Sequence, residues 1–223
     1  MEWVSYLPLI GGAVPLSISI YFIKKKGLGE ISQLYFFLSL VCLGVFGISE
    51  GLAYMTSSET TAYVLLLTSK SGAFLFPYFI MAFATYLRTE SKLPKLLAPP
   101  TMVMLIISLF FDFEGIYQTS WGWDINFNGP VYYSAYIYGL ALLVIGLWSM
   151  GLLVKEMEEE QNPLHRNMSI IFVGYIFWTI LALGTNIVVE ALQLEMIQPL
   201  AFFQIFPSII VAYGYLSGTG AGE

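Results

Sequence analysis

TSKSGAFLFPYFIMAFATY, residues 68–86, is an almost unbroken apolar run that holds one charged residue, Lys70. A helix rises about 1.5 Å per residue, so this run is long enough to cross a hydrocarbon core of about 30 Å. The stretch therefore predicts a membrane-spanning helix. It also raises the question of why a strongly hydrated ammonium group stands inside it.

The rest of the chain has the same character. It is 57% hydrophobic and 11% charged, with a mean hydropathy of +0.75, whereas a soluble domain carries about 25% charged residues. About seven apolar runs reach spanning length, and they cover residues 3–23, 32–55, 61–87, 94–111, 131–154, 167–193 and 197–217. The sequence predicts an all-α membrane protein, a seven-transmembrane helix bundle over residues 1–217, followed by a short tail or the start of a linker at 218–223.

The positions of lysine and arginine predict the orientation of this bundle. Apart from Lys70, the basic residues fall in alternate connections between the runs: Lys24, Lys25, Lys26, Arg88, Lys92, Lys95, Lys155 and Arg166. Cytoplasmic loops carry the excess of basic residues. The pattern places the N-terminus outside and the C-terminus inside. Basic residues follow the first apolar run, so we expect no cleaved signal peptide.

Three ionisable side chains lie within the predicted spans, where such residues usually mark function. At 1.5 Å per residue, Glu50 lies about 8 Å, Lys70 about 13 Å and Glu190 about 5 Å below the outer ends of their helices. Helical side chains lean toward their own N-terminus, which brings the heads of Glu50 and Lys70 to one level. We expect these two residues to form an ion pair.

Further polar residues recur at this level. Thr179, Asn186 and Glu190 share one face of the sixth span, and Gln204 and Ser208 stand one turn apart beside Pro207. A small outward-facing ligand pocket would thus be lined by Glu50, Lys70, Asn186, Glu190, Gln204 and Ser208. Two other interpretations stay open: polar side chains that only hold helices together, and a lysine that extends to the interface without partners. Gly44, Gly47, Gly51 and Gly72 predict close helix packing nearby.

The outer connection, residues 111–130, is rich in aromatic residues and ends in Gly-Pro. It is interpreted either as an interfacial anchor or as a lid over the pocket. The aromatic residues assigned to this lid or interface are Trp121, Trp123, Tyr132, Tyr133 and Tyr136. Pro77 and Pro207 are the candidate kinks, since proline removes a helical hydrogen bond.

The motifs of the common catalytic classes are missing from the sequence. It has no Gly-rich phosphate loop, HExxH or GxSxG motif, and no cluster of metal ligands, with a single cysteine, Cys42, and a single histidine, His165. The last span contains no lysine, which excludes the Schiff base of an opsin-type retinal protein. We expect no enzyme activity, no cofactor and no nucleic-acid partner.

Several segments nevertheless resemble a known family. They are ISEGLAY (48–54), KSGAFLFPYFIMAFATY (70–86), GPVYYSAY (129–136) and QPLAFFQIFPSIIVAYGY (198–215). The chain resembles the N-terminal seven-helix sensor region of membrane histidine kinases and diguanylate cyclases. The resemblance implies a prokaryotic plasma membrane, a homodimer, and a cytoplasmic kinase or cyclase output domain that this sequence does not contain.

Together these features predict a receptor-like module that detects an external or membrane-borne small ligand and relays a helix movement to the cytoplasm. Its expected partners are membrane lipids, the unknown ligand, a second copy and the output domain. Two alternatives remain: a carrier or channel for small molecules or ions, and a non-enzymatic membrane scaffold. A carrier would need polar residues through the inner half of the bundle, where few occur.

Overall fold

The structure is a computed structural model that describes residues 6–26, 28–119, 122–127, 129–183 and 204–218. Within these ranges the chain forms a helical bundle with one small β-hairpin. The elements are α1 (Leu7–Lys26), α2 (Ile31–Met55), α3 (Glu59–Thr89), α4 (Leu93–Phe110), β1 (Phe113–Thr119), β2 (Gly122–Phe127), α5 (Pro130–Glu159), α6 (His165–Leu183) and α7 (Ile205–Gly218).

The predicted helical membrane bundle is confirmed in its main feature. Helices α1 to α6 are long and apolar enough to cross a membrane, and α7 is a shorter apolar helix. Each helix packs on the next in the chain, α3 also packs on α5, and α7 returns to α1, so that the described helices enclose a common core. The most deeply buried helices are α2 and α3.

Helix ends follow from local sequence. Ser58 precedes α3 and accepts a hydrogen bond from the Thr61 amide at 3.3 Å, which satisfies one of the free amides of the first turn. Glu59 stands in the first turn and Arg88 in the last, where each charge complements the helix dipole. Pro77 lies buried inside α3, which continues through it.

The helices approach closely where glycine removes the side chain. A Cβ atom on Gly12 would lie 2.5 Å from the Ile48 amide nitrogen, and one on Gly72 would lie 2.7 Å from the Cys42 carbonyl oxygen. Gly44, Gly47 and Gly51 of α2 would also meet α1 at less than 3 Å. The close packing predicted at these glycines is confirmed, and it brings the backbones of α1, α2 and α3 into contact.

The outer connection differs from the predicted irregular loop. Its strands β1 and β2 pair antiparallel, with Ile116 opposite Ile125 and Thr119 opposite Gly122. The helical character predicted from the apolar runs is confirmed for the rest of the described chain. The hairpin was not predicted, because a strand of six or seven residues is too short to produce a run of spanning length. Gly115 and Gly122 adopt φ values of +140° and +144°, which glycine accommodates without steric cost.

Charges are divided between the two ends of the bundle. One end, called the basic end here, carries Lys24, Lys25, Arg88, Lys92, Lys95, Lys155 and Arg166. The opposite end, called the hairpin end, carries Glu59, Asp112, Glu114 and Asp124. The contact between Ser217 and Asn167, 3.3 Å between Oγ and Oδ1, places the last turn of α7 at the basic end.

Candidate functional site

Glu50 is the charged residue that lies deepest in the described bundle. Its side chain is 3% exposed. The hydroxyl of Tyr54, one helical turn further along α2, donates a hydrogen bond of 2.7 Å to its Oε1 atom. The other carboxyl oxygen, Oε2, is buried with no hydrogen-bond partner in the described part of the chain. A carboxylate in this position has lost its hydration and regained little in return.

Two charged side chains act on Glu50 through space. Lys70 of α3 supplies positive charge, and Asp124 of β2 supplies negative charge. Tyr54 supplies a hydrogen bond to Glu50, since it lies one turn away on the same helix. The direct Glu50–Lys70 ion pair stays a prediction.

The hairpin lies directly on Tyr54. A Cβ atom on Gly122 would be 2.4 Å from the Tyr54 Cα, so the backbone of β2 touches the backbone of α2. The Trp123 indole N–H donates a 3.0 Å hydrogen bond to the Thr56 carbonyl just beyond the end of α2. Asp124 follows, with its Oδ2 accepting a 3.3 Å bond from the Tyr117 hydroxyl. These contacts fix the first residues of β2 over the C-terminal end of α2.

The base of the hairpin is held by α5. One oxygen of Asp112, Oδ2, accepts hydrogen bonds from the amides of Val131 and Tyr132 at 2.7 and 3.0 Å, which caps the N-terminus of α5. The Phe127 and Tyr132 rings stack at 5.2 Å with 6° between their planes. A small cluster of Ala53, Leu66, Ile125 and Phe127 buries the inner face of the hairpin against α2 and α3. The hairpin is thus a packed cap.

The aromatic residues assigned to a lid or interface differ in their burial. Trp123 and Tyr132 are half-buried in the cap, whereas Tyr133 is 52% exposed and Tyr136 lies half-buried in α5. Trp121 lies outside the described residues. The rings therefore divide between packing and the exposed surface, and Trp123 is the one that joins the hairpin to the α2–α3 connection.

Gln204 and Ser208 form a second polar group at α7. Both are buried, and the Gln204 side-chain amide donates to the Leu43 carbonyl of α2 at 3.3 Å. Its Oε1 atom and the Ser208 hydroxyl lack hydrogen-bond partners in the described part of the chain. Pro207 is the third residue of α7, a first-turn position where the missing amide removes no helical hydrogen bond.

A narrow space adjoins this second group. It has a volume of about 10 Å³ and is lined by Leu40, Leu43, Phe76, Tyr175, Trp178, Pro207, Ser208 and Val211. That volume is about what one water molecule requires, so the space is too small for an organic ligand. Its walls are apolar, and it lies between α2, α3, α6 and α7.

Two predicted pocket residues, Asn186 and Glu190, lie outside the described residues. Thr179, expected on the same face, donates its hydroxyl to the Tyr175 carbonyl of its own helix at 2.8 Å. The described structure therefore brings Glu50 and Lys70 together under the hairpin, and Gln204 and Ser208 together beside α2. Gly47 connects the two groups, because a Cβ there would lie 2.6 Å from the Gln204 amide nitrogen.

Sequence reasoning missed four side chains of this region. Tyr54 carries a signal, since an i to i+4 spacing from a buried acid places its hydroxyl within reach. Asp124 stands in a polar connection and gives no comparable signal before the hairpin register is known. The Ser39 and Tyr175 hydroxyls, 3.1 Å apart between α2 and α6, are likewise joined only by the fold.

The six spanning-length helices and the buried polar groups define a multi-pass helical membrane protein. A comparison of the chain with protein-family models found no match, and a comparison with curated proteins found none either.

Proposed function

We propose that the protein is a receptor-like sensory module of a prokaryotic plasma membrane, with seven spans, its N-terminus outside and its C-terminus inside. It detects an external or membrane-borne signal at the hairpin end and relays a helix movement to the basic end. The observation that carries the proposal is the buried Glu50 carboxylate, which receives one hydrogen bond from the described residues and lies beneath a packed hairpin.

A buried ionisable group in a membrane bundle is costly and is usually retained for function. Glu50 is better suited to sensing than to packing, because one of its oxygens forms no hydrogen bond in the described structure. If Glu50 served only to hold helices together, both of its carboxyl oxygens would be expected to accept hydrogen bonds. Tyr54, its hydrogen-bond partner among the described residues, touches the hairpin through its backbone, which supplies a physical connection between the hairpin end and the bundle interior.

The distribution of charge supports the orientation. Basic residues concentrate at the end where α1, α3 and α5 finish, and cytoplasmic ends carry such residues. The last turn of α7 lies at the same end. An output domain, kinase or cyclase, would follow from there, and the resemblance to seven-helix sensor regions adds a homodimer to the proposal.

The path from input to output runs through α2 and α7. Gln204 at the start of α7 donates to Leu43 of α2, and α7 packs along α6 with Val211 against Gly174. A shift of α2 would therefore press on the first turn of α7. Signal relay needs two arrangements of similar free energy and a signal that prefers one of them.

This relay can be tested without knowing the signal. Spin labels at Thr89→Cys and Ser217→Cys report the distance between the ends of α3 and α7, and Cys42 is buried and does not compete for label. In lipid nanodiscs, Glu50→Gln is expected to shift this distance by about 2 Å, the size of typical signalling helix shifts. Glu59→Gln, the same change at an exposed site of the hairpin end, should leave the distance unchanged.

The alternatives give different results in the same samples. If Glu50→Gln leaves the label distance unchanged, the sensor proposal is overturned and a scaffold is favoured. If solute flux into proteoliposomes depends on Glu50 while the distance stays constant, a carrier is favoured instead. Equal shifts in Glu50→Gln and Glu59→Gln would also count against the proposal, because the response would not be specific to the buried carboxylate.

A further inference from the structure

Glu50 holds a carboxyl group in surroundings that are favourable to neither of its charge states. The side chain is 3% exposed, and Oε2 has no hydrogen-bond partner in the described part of the chain. An ionised carboxylate in an apolar interior loses most of its solvation, and such groups commonly take up a proton instead. The single bond from Tyr54 to Oε1 offsets only part of this loss.

The charged and titratable groups around Glu50 oppose one another. Tyr54 of α2 donates a hydrogen bond to it, Lys70 of α3 brings a basic group near it, and Asp124 of β2 brings an acidic one. Tyr117 of β1 acts on Tyr54 and hydrogen-bonds Asp124. On the α1 side, Leu9 packs against Gly51, next to Glu50 in the chain. Among the described residues, Glu50 thus has neighbours of both signs, so a small change in their positions changes the balance of charge around it.

The size of the site restricts what can bind there. The described residues include no group of three His, Cys, Asp or Glu side chains suited to a metal ion. Glu50 is packed between helices whose backbones touch at Gly47, Gly51 and Gly72. A proton is the one cation that needs neither a cavity nor several ligands.

We propose that Glu50 is a proton-binding site reached from the hairpin end, so that the signal detected by this protein is the acidity of the outer medium. The inference rests on the proposed sensory function and names its ligand. A hydronium ion transfers its proton to the Glu50 carboxylate, giving a neutral carboxylic acid and water. The negative charge that Tyr54 and Lys70 both stabilise disappears in this step.

The hairpin gives this event a mechanical consequence. Neutralising Glu50 weakens the charge-assisted hydrogen bond from Tyr54, since bonds to charged acceptors are the stronger ones. The backbone of Tyr54 lies against Gly122, the first residue of β2, which pairs with Thr119. A change in the position of Tyr54 would therefore displace β2. Protonation would thus change the hairpin and α2 together.

Infrared difference spectroscopy in nanodiscs tests the site directly. On acidification from about pH 8 to about pH 5, exposed carboxylates stay ionised, because their ordinary midpoints lie near pH 4. The C=O stretching band of a protonated carboxylic acid is expected to appear in this window in the unchanged protein and to be lost in Glu50→Gln. Glu59→Gln, at an exposed site of the hairpin end, should retain it. Absence of the band, or its persistence in Glu50→Gln, would overturn the proposal.

Charge variants keep the test decisive even where Glu50→Gln does not fold. Lys70→Met removes a positive charge, so the pH at which half of the band has appeared should rise by about one unit, a tenfold change in proton affinity. Asp124→Asn, on the half-buried edge of the hairpin, should lower it by a similar amount. Shifts of the wrong sign, or none in either variant, would show that the titrating group is elsewhere.

The two proposals fail in different ways. If Glu50→Gln moves the Thr89–Ser217 label distance but acidification of the unchanged protein does not, the sensory function stands and the proton is not its signal. If the Glu50 band appears on acidification while the labels never move, the proton site stands and the sensory relay fails.

Discussion

The hairpin end and the basic end of this bundle hold charged side chains in opposite ways. At the basic end, Arg88 donates three hydrogen bonds of 2.7 to 3.2 Å to Glu156, which joins α3 to α5. Both side chains remain partly exposed, at 29% and 45%. At the hairpin end, Glu50 is nearly inaccessible and receives one hydrogen bond from the described residues.

The difference separates an architectural contact from a responsive one. A wet, multiply bonded ion pair has the same charges at any ordinary pH, and it adds little stability because water solvates both partners when it breaks. A buried carboxylate with one partner depends on its neighbours for its charge. The hairpin end is therefore the place where a small chemical change can alter the packing of helices.

The largest effect is expected where the hairpin meets α2. Gly122→Ala adds a Cβ that would lie 2.4 Å from the Tyr54 Cα, at a φ of +144° that alanine rarely adopts. Thermal or denaturant unfolding in detergent should show a loss of about 3 kcal/mol from overpacking and backbone strain. Gly115→Ala is the matched control, since its φ is +140° and no atom lies within 4 Å of the added Cβ.

Equal losses in the two glycine variants would mean that strain alone acts and that the hairpin does not bear on Tyr54. A loss in Gly122→Ala that exceeds the control by about 2 kcal/mol would confirm the contact.

Tyr54→Phe should have the next largest effect. It removes the hydroxyl that donates to Glu50 Oε1, so that Oε1, like Oε2, has no hydrogen bond from the described residues. The expected cost is about 2 kcal/mol in unfolding free energy. Tyr63→Phe serves as the control, because its hydroxyl makes no hydrogen bond with the described residues while its ring packs on Phe113. In a Glu50→Gln background the cost of Tyr54→Phe should fall, because the charge-assisted part of the bond is gone.

Trp123→Phe tests whether the hairpin is attached to the α2–α3 connection by its indole. The change removes the 3.0 Å hydrogen bond to the Thr56 carbonyl and keeps an aromatic ring, so a loss of about 1 kcal/mol is expected. Hydrogen exchange of the β2 amides should become faster by several-fold. Unchanged exchange would indicate that the packing of Ile125 and Phe127 alone fixes the strand.

The smallest effect is expected at the basic end. Arg88→Met or Glu156→Gln alone should lower the unfolding temperature by about 1–3 °C. A double-mutant cycle of the two should show a weak coupling energy that decreases with added salt, as it does for exposed pairs. A coupling as strong as that of Glu50 with Tyr54, and insensitive to salt, would remove the distinction between the two ends.

Much of the fold could be predicted from the sequence because membrane insertion is a local property of composition. Runs of spanning length predicted α1 to α6, and the positions of lysine and arginine predicted that basic residues would share one end. The burial of Glu50, Gln204 and Ser208 followed from their place in such runs. The hairpin could not be found in this way, since its strands are short and their pairing depends on the register set by Gly115 and Gly122.

The site was predicted only in part. The sequence identified Glu50 and Lys70 as neighbours, and the structure adds the hydrogen bond from Tyr54 to Glu50, which was not predicted. Only a contact between two helices was considered, and the contact between Glu50 and Tyr54, one turn apart on the same helix, was overlooked. Asp124 entered the site only through the folding of the hairpin over α2.

By itself, the sequence determined that this chain forms apolar helices, with their basic ends together and a few polar groups left inside. These properties follow from the free-energy cost of moving backbone polar groups and charges into lipid. This cost depends on the composition of each segment alone and not on its neighbours. The tertiary structure decided which groups meet: the β2 backbone on Tyr54, the Tyr54 hydroxyl on Glu50, and Gln204 on α2. Such contacts join residues far apart in the chain, so they depend on how glycine-lined helices pack and not on any single segment.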